Sequence, residues 1–183
     1  MKYPDARPLI QSGDVLFWTH RPLRSWYDLQ IHLVRMFTRS EWSHVGLAWV
    51  VGGRLFVLEA VSAGVRIFPL SRAGAFTWVQ RGAFTVDQEE LALAHVGEPY
   101  SKWDAIRAFF GASNNADGAW FCSEYVCAVL GLPVHEQTPA EVMRYLIEYE
   151  GLDARFVSAP TTPALAAESH PQGTKQRAAE PPK

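Results

Sequence analysis

Two apolar runs, His44–Val51 and Arg54–Val61, are separated in this chain only by the dipeptide Gly52-Gly53. Glycine tolerates the positive backbone angles that a two-residue hairpin turn requires, so the pattern predicts two antiparallel strands joined by that turn. A slip of one residue would turn every side chain of a strand to the opposite face of the sheet. The length of the turn therefore decides which residues of the two runs can meet.

The two-residue turn predicts which side chains of the hairpin are neighbours. Counting outward from it brings Gly46 opposite Glu59 and His44 opposite Val61. Because side chains alternate between faces, His44, Gly46 and Glu59 share one face. Glu59 is then the diagonal neighbour of His44, with Cα atoms roughly 7–8 Å apart, and Gly46 has no side chain to block the approach. A three-residue turn would move Glu59 to the other face.

Other segments carry weaker secondary-structure signals. Stretches typical of β-strands predict further strands at 13–18, 64–68, 76–79 and 152–157. Helical spacing or capping residues predict helices at 25–38, 87–96, 101–110, 122–130 and 138–151. The helix at 87–96 is expected to begin with a capping box of Asp87 and Glu90, and the last helix with Thr138 followed by a proline.

The composition limits the classes of protein to which the chain can belong. Of its 183 residues, 48% are hydrophobic, enough to bury one sizeable core and to exclude global disorder. Lysine and arginine number 17 against 19 aspartates and glutamates, so no basic excess indicates nucleic-acid binding. Residues 86–150 hold eleven acidic residues against three basic ones, which argues against a nucleic-acid groove there.

We expect one domain at 1–158 followed by a disordered tail at 159–183. No aromatic residue follows Phe156, and the tail is rich in proline, alanine and polar residues, so it cannot bury a core. The longest apolar stretch, 45–61, is interrupted by two glycines and an arginine, so no transmembrane segment is expected. The start of the chain contains no apolar signal core, so no secretory signal is visible.

Both cysteines of the chain, Cys122 and Cys127, lie in the helix predicted at 122–130. Five residues apart on one helix, they point about 140° away from each other and cannot form a disulfide together. Cys122 lies in the first turn, where partial positive charge and N–H groups favour a thiolate and are suited to stabilise an oxyanion. The alternative interpretation is a small buried residue. Cys127 lies among apolar residues and is expected in the core.

A thiol nucleophile needs a base, and the chain has six histidines. His44 opens an apolar strand, where an imidazole must find a partner. Glu59 can orient that imidazole and stabilise its charged form, although the pattern also fits a surface carboxylate on a half-exposed strand. The other histidines are expected at the surface, in packing or in the tail: His20, His32, His95, His135 and His170.

Sequence motifs for metals and phosphates are missing. There is no CxxC, no HExxH and no pair of histidines at i and i+4, the spacings typical of metal ligands. The glycine pair at 52–53 joins two strands rather than leading into a helix, so no phosphate-binding loop is predicted. A GxSxG nucleophile elbow is missing as well. The cysteine and histidine thus carry the strongest catalytic signal.

Five motifs follow one another in a recognisable order: Gly13-Asp14-Val15-Leu16-Phe17, Ser43-His44-Val45-Gly46, Leu58-Glu59-Ala60, Gly97-Glu98-Pro99-Tyr100 and Phe121-Cys122-Ser123-Glu124-Tyr125-Val126. With this order, over roughly residues 8–157, the chain resembles the circularly permuted NlpC-type papain-like amidases. That group includes the YiiX/YebB-like proteins and is related to lecithin–retinol acyltransferase. In papain the cysteine precedes the histidine, whereas in the permuted group, as in this chain, the histidine strand comes first.

The resemblance implies an α+β fold, in which an antiparallel sheet or small barrel packs against a helix that carries the cysteine at its N-terminus. It implies Cys122 as the nucleophile, His44 as base and then acid, and Glu59 as the polar orienting residue. Tyr100 is expected to line the site. It implies no cofactor, and relatives in the group act on amide or ester bonds, including cell-wall peptides and lipid acyl groups.

We therefore expect a cysteine hydrolase that cleaves an amide bond in a peptide or in peptidoglycan through a Cys-His-Glu triad and an acyl-enzyme. Two alternatives stay open: a thioesterase, lipase or acyltransferase acting on lipid acyl groups, and a non-catalytic phage or assembly module with the same fold. The expected location is the cytoplasm, and the alternative is a phage virion or release by lysis. Neither the substrate nor the oligomeric state follows from the sequence.

Overall fold

Six antiparallel strands form the sheet at the centre of the structure, a computed structural model that describes residues 1–19, 41–99, 120–133 and 138–159. The strands are β1 (Val15–Trp18), β2 (His44–Val51), β3 (Arg54–Val61), β4 (Gly64–Pro69), β5 (Phe76–Val79) and β6 (Ala154–Val157). They lie side by side in the order β4-β3-β2-β1-β5-β6. Over the described ranges this is an open sheet rather than the small barrel that the resemblance also allows.

Four helices and one 3-10 turn accompany the sheet in the described part of the chain. They are α1 (Tyr3–Ala6), α2 (Val86–Ala94), α3 (Cys122–Leu130), α4 (Pro139–Glu148) and the 3-10 turn Leu70–Arg72. Sheet and helices together make an α+β fold, as expected. The helices predicted at 25–38 and 101–110, and the tail from residue 160, lie outside the described residues. None of the described helices combines the length and apolar character needed to cross a bilayer.

The β2–β3 hairpin has the predicted register. All its backbone partners are those of a two-residue turn, and the last pair of the ladder is Leu47 with Leu58. Gly52 and Gly53 occupy the turn with φ angles of 55° and 70°, which residues with side chains rarely adopt. His44 therefore lies at the start of β2, beyond the end of its ladder with β3.

The two faces of the sheet carry two separate cores. The core between the sheet and helices α3 and α4 contains, from the hairpin, Val45, Leu47, Leu58 and Ala60. The core on the opposite face, next to α1, contains Leu16, Trp18, Ala48 and Val57. Because side chains alternate along a strand, His44 and Glu59 belong to the face of the second core. Cys122, by contrast, belongs to the first core.

Helix α2 corrects one sequence-based expectation. The prediction that Asp87 and Glu90 form the capping box is wrong, because Thr85 caps the helix two residues earlier. The Thr85 hydroxyl accepts from the Gln88 N–H at 3.2 Å, and the Gln88 side chain accepts from the Thr85 N–H at 3.1 Å. Thr85 with Gln88 and Asp87 with Glu90 both have the spacing of a capping box, and the helix uses the earlier pair. Asp87 therefore lies in the first turn, where the helix dipole favours a negative charge.

Helices α3 and α4 begin where the sequence predicts. The Thr138 N–H donates to Glu141 Oε2 at 2.8 Å, the Glu141 N–H donates to the Thr138 hydroxyl at 3.3 Å, and Pro139 takes the first position. Helix α3 starts at Cys122 and ends before Gly131, whose φ of 67° turns the chain away. Cys122 thus occupies the N-terminal position of a nine-residue helix.

Candidate active site

The His44 imidazole and the Glu59 carboxylate lie side by side on neighbouring strands. Nε2 of His44 is 2.6 Å from Oε2 of Glu59. The carboxylate is 3% exposed and the imidazole 23%, so their attraction is screened less than at an open surface. The structure thus brings together the two side chains that the hairpin register predicts to meet. The alternative interpretation of Glu59 as an exposed surface charge is wrong.

Arg66 of β4 also contacts Glu59, and the sequence analysis did not predict this contact. Its Nε and Nη2 groups both donate to Oε1 of Glu59, at 2.9 and 2.7 Å. Arg66 faces Glu59 directly in the β3–β4 ladder, whose turn holds only Ser62 and Ala63. Counting outward from that second turn, as for the first one, pairs Glu59 with Arg66 and would have found it.

Cys122 contacts the same histidine from the helix side. A side-chain hydrogen bond joins Cys122 to His44. Since Nε2 faces Glu59, Nδ1 is the ring nitrogen that is left for the sulfur. Cys122 belongs to the core on one face of the sheet, whereas His44 lies on the other face. The two side chains meet at the first residue of β2, which lies beyond the last backbone pair of the β2–β3 ladder. Thiol, imidazole, carboxylate and guanidinium form one continuous chain of contacts.

These contacts set the charge of the imidazole. Burial disfavours the charged form of His44, but hydrogen bonds and charge from Cys122 and Glu59 outweigh it and raise the pKa of His44 to about 9. For Glu59, burial raises the pKa, whereas His44 and Arg66 together lower it to about 2. At neutral pH the imidazolium therefore donates Nε2–H to the carboxylate and Nδ1–H to the sulfur. Cys122 lies at the first position of α3, where the helix N-terminus places partial positive charge next to the sulfur.

Trp18 forms a wall beside the imidazole. It pairs with His44 across the β1–β2 ladder, and the centres of the two rings are 5.5 Å apart. The indole is held in turn, because its Nε1–H donates to the backbone carbonyl of Ala73 at 3.0 Å. Trp18 is 3% exposed, so it covers one side of the histidine with a fixed apolar surface.

Gly46 provides the space in which the two strands approach. A Cβ atom at this position would lie 2.7 Å from Cγ2 of Val57, 3.0 Å from the carbonyl oxygen of Leu58 and 3.3 Å from Cβ of Glu59. These distances are shorter than ordinary van der Waals contacts, so any side chain at Gly46 would displace β3. The absence of a side chain here therefore sets the separation of His44 and Glu59.

A second pair of histidine and carboxylate lies close to the start of α3. Nδ1 of His95 is 2.8 Å from Oε2 of Glu98, and the same oxygen accepts from the indole N–H of Trp120. The centres of the His95 and Trp120 rings are 4.4 Å apart. His95 thus lies in packing, one of the places expected for it, with Glu98 and Trp120 as its partners. The cluster anchors Trp120, two residues before Cys122, to the end of α2.

The remaining cysteine, tyrosine and histidines named in the sequence analysis lie either in the core or outside the described residues. Cys127 is 3% exposed, lies in the core between sheet and helices as expected, and like Cys122 is free of disulfides. Tyr100, expected to line the site, lies outside the described residues, as do His20, His32 and His135. In the parts of the chain that the structure describes, no group of three His, Cys, Asp or Glu residues is arranged to hold a metal ion.

Comparisons with known proteins find similarity among solved structures. No protein-family model matches the chain, and no curated protein matches it. Among solved structures, it is similar to the crystal structure of YiiX from Escherichia coli O157:H7, which is described as a metalloprotein. The two share 25% sequence identity over 82% of this chain and 89% of that one, with a TM-score of 0.49.

Proposed function

We propose that this chain is a cysteine hydrolase that cleaves an amide bond through an acyl-enzyme, with Cys122 as nucleophile, His44 as acid and base, and Glu59 as the residue that orients His44. One observation carries the proposal: a single imidazole contacts both a thiol at a helix N-terminus and a buried carboxylate. A nucleophile, a base and a third group that orients the base are the parts of a catalytic triad.

In the first half-reaction, the Cys122 thiolate attacks the carbonyl carbon of the substrate and a carbon–sulfur bond forms. The carbonyl oxygen becomes an oxyanion, which the N-terminus of α3 is suited to stabilise through its N–H groups and its partial positive charge. As the carbon–nitrogen bond breaks, Nδ1 of His44 gives its proton to the leaving amine. The products are the free amine and an acyl group bound to Cys122 as a thioester.

In the second half-reaction, the neutral His44 takes a proton from water at Nδ1 while the water oxygen attacks the thioester. The carbon–sulfur bond breaks, the carboxylic acid leaves, and the thiolate–imidazolium pair is restored. Throughout both steps Glu59 accepts the Nε2–H hydrogen bond, which holds the ring orientation and favours the charged imidazole. Each proton that His44 gives up in the first half is recovered in the second.

The proposal extends to the finer fold class and the substrate. The order of elements, with the histidine strand before the cysteine helix, supports a permuted papain-like arrangement within the α+β fold. The resemblance stated for the sequence motifs supports peptides, including cell-wall peptides, as substrates. Ester or thioester cleavage on lipid acyl groups uses the same nucleophile and base, so the two substrate classes are separated by experiment.

A pair of chromogenic substrate series tests the proposal: peptide p-nitroanilides for amide cleavage and p-nitrophenyl acyl esters for ester cleavage. We expect release of p-nitroaniline by the wild-type protein, loss of that release in Cys122→Ala, and no loss in the matched variant Cys127→Ala. Cleavage of esters alone would replace the amidase proposal by the lipid-hydrolase alternative. If neither series is cleaved and no acyl group becomes bound to Cys122, the chain is not a hydrolase of this type.

A further inference from the structure

The contacts of Glu59 divide its two oxygens between two partners. Oε2 lies against the imidazole of His44, while Oε1 receives both hydrogen bonds from Arg66. Two donors on one oxygen, from Nε and Nη2, hold the guanidinium and the carboxylate in a fixed relative orientation. The other oxygen is thereby left for His44, and the hydrogen bonds from Arg66 set the plane of the carboxylate.

Arg66 is itself held in place without being buried. Its guanidinium lies 4.6 Å from the centre of the Phe68 ring, and its side chain is 38% exposed. Water can therefore reach part of the guanidinium, while its charge offsets the cost of burying the Glu59 carboxylate. Backbone pairing of Arg66 with Glu59 in the β3–β4 ladder keeps the two residues at a constant separation.

We infer that Arg66 is a positioning residue, which acts on His44 through Glu59 by keeping Oε2 directed at the imidazole. The inference deepens the proposed hydrolase function and rests on it for its catalytic consequence. It adds a residue of β4 to the site, next to the triad of Cys122, His44 and Glu59. The chain of contacts then runs from the helix through the hairpin to the edge of the sheet.

The charged groups around the imidazole are few in the described part of the chain, which makes the effect of Arg66 measurable. His44 is faced by Glu59 from β3, by Cys122 from α3 and by the uncharged Trp18 from β1. Arg66 does not contact His44, so removing it has two opposite electrostatic consequences. Losing a nearby positive charge raises the pKa of His44, whereas a carboxylate that no longer stays directed at the ring lowers it.

The chain offers a matched control for Arg66. Arg81 forms an ion pair with Glu150 through the same two nitrogens, with Nε at 3.0 Å from Oε2 and Nη2 at 3.3 Å from Oε1. Both of these side chains are 24% exposed. The variants Arg66→Met and Arg81→Met thus each break a two-point pair between arginine and glutamate. Only the first pair involves the carboxylate that contacts His44.

The experiment measures the titration of His44 by ¹⁵N NMR of the imidazole nitrogens, together with kcat and KM, in the wild type, Arg66→Met, Arg66→Lys and Arg81→Met. For Arg66→Met we expect the pKa of His44 to fall from about 9 toward its ordinary value, and kcat to fall about tenfold to hundredfold with KM little changed. Lysine keeps the charge but not the two-point geometry, so Arg66→Lys should recover only part of both effects. Arg81→Met should match the wild type.

Three results would overturn the inference. An unchanged His44 titration in both Arg66→Met and Arg66→Lys would show that Glu59 needs no second partner, because lysine keeps the positive charge and so excludes a cancellation of the two effects. A raised pKa in Arg66→Met would show that Arg66 acts only as a nearby like charge. Full recovery in Arg66→Lys would assign the effect to charge rather than to orientation. The titration needs no substrate, so a wild-type protein that cleaves nothing would remove the proposed function while the NMR result still decides the role of Arg66.

Discussion

Two carboxylates are buried in the described part of the chain, Asp14 just before β1 and Glu59 in β3, and their hydrogen-bond donors differ in kind. Asp14 and Glu59 are 0% and 3% exposed. Asp14 accepts four hydrogen bonds at 2.8–3.0 Å, all from neutral donors: the backbone N–H groups of Gln11, Arg81 and Gly82 and the indole N–H of Trp78. Glu59 accepts instead from two cationic side chains, His44 and Arg66.

The difference favours a structural role for Asp14 and a chemical role for Glu59. The donors to Asp14 keep their protons at every ordinary pH, and their hydrogen bonds tie the residue before β1 to β5 and to the segment that follows β5. One partner of Glu59 is an imidazole, which gains and loses a proton, and which also contacts the thiol of Cys122. A buried carboxylate next to a titrating group is therefore the better candidate for catalysis.

The largest expected difference between the two carboxylates is in turnover. Glu59→Gln keeps the size of the side chain but loses the charge that stabilises the imidazolium, so we expect kcat to fall about 100- to 10,000-fold. His44→Ala should cost at least as much, and the double variant little more, since the two groups act as a unit. Asp14→Asn should leave kcat per folded molecule close to the wild-type value. Equal losses in Glu59→Gln and Asp14→Asn would remove the distinction.

Stability should rank the two carboxylates in the reverse order. In Asp14→Asn, an amide NH₂ replaces one oxygen and leaves two buried donors without an acceptor, which costs about 2–6 kcal/mol. Glu59→Gln should cost less, about 1–3 kcal/mol, because the partly exposed His44 and Arg66 can recover water. Urea unfolding at pH 7 measures both free energies. A larger loss in Glu59→Gln would mean that Glu59 is the main structural carboxylate.

Moving Glu59 without changing its charge tests position by itself. In Gly46→Ala, the new Cβ would lie 2.7 Å from Cγ2 of Val57, so β3 must shift. We expect a loss of about 1–3 kcal/mol in stability and a lower kcat. Adding Val57→Ala removes the closest contact and should restore part of the activity. Wild-type kcat in Gly46→Ala would show that the separation of the strands does not control the site.

The smallest expected effect is on the dependence of stability on pH. Because the pKa of His44 is raised to about 9, its contribution is complete below the unfolded value of about 6.5 and is lost as the pH rises through 9. Because the pKa of Glu59 is lowered to about 2, its contribution is present above about 4.3 and is lost as the pH falls through 2. Both contributions are complete between about pH 4.3 and 6.5.

Unfolding free energies measured at intervals from pH 6 to 9 compare the variants. The decline seen in the wild type should become shallower in Glu59→Gln, because the pKa of His44 then lies closer to its unfolded value. Asp14→Asn should instead run parallel to the wild type at lower stability, since it leaves the His44 environment intact. The prediction is falsified if Glu59→Gln also runs parallel to the wild type.

Local geometry explains why part of the site was predictable from the sequence. A two-residue turn sets the register of a hairpin, and the alternation of side chains then places His44 and Glu59 together without any knowledge of the rest of the fold. The start of α3 at Cys122 was predictable for a similar reason, because the helix signals lie within a few residues of it. The pairing of Arg66 with Glu59 was equally predictable, by counting outward from the two-residue turn between β3 and β4.

The contacts of Asp14 could not be predicted in this way. Three of its four donors are 64 to 68 residues away along the chain, and a contact at that separation leaves no local pattern. The hydrogen bond between Cys122 and His44 is also long-range, and from the sequence alone it followed only from the resemblance. The order of the strands, with β1 between β2 and β5, depends on the same kind of distant pairing.

The reactivity of the two cysteines tests the central claim most directly, because Cys122 and Cys127 are both 3% exposed. We would treat the native protein with limiting iodoacetamide at pH 6.5, quantify the alkylation of each cysteine by peptide mass spectrometry, and repeat the measurement with His44→Ala. We expect alkylation at Cys122 and not at Cys127 in the wild type, and a loss of most of the Cys122 labelling without the imidazole. Equal labelling of both cysteines, or Cys122 labelling that does not depend on His44, would contradict a thiol activated by this histidine.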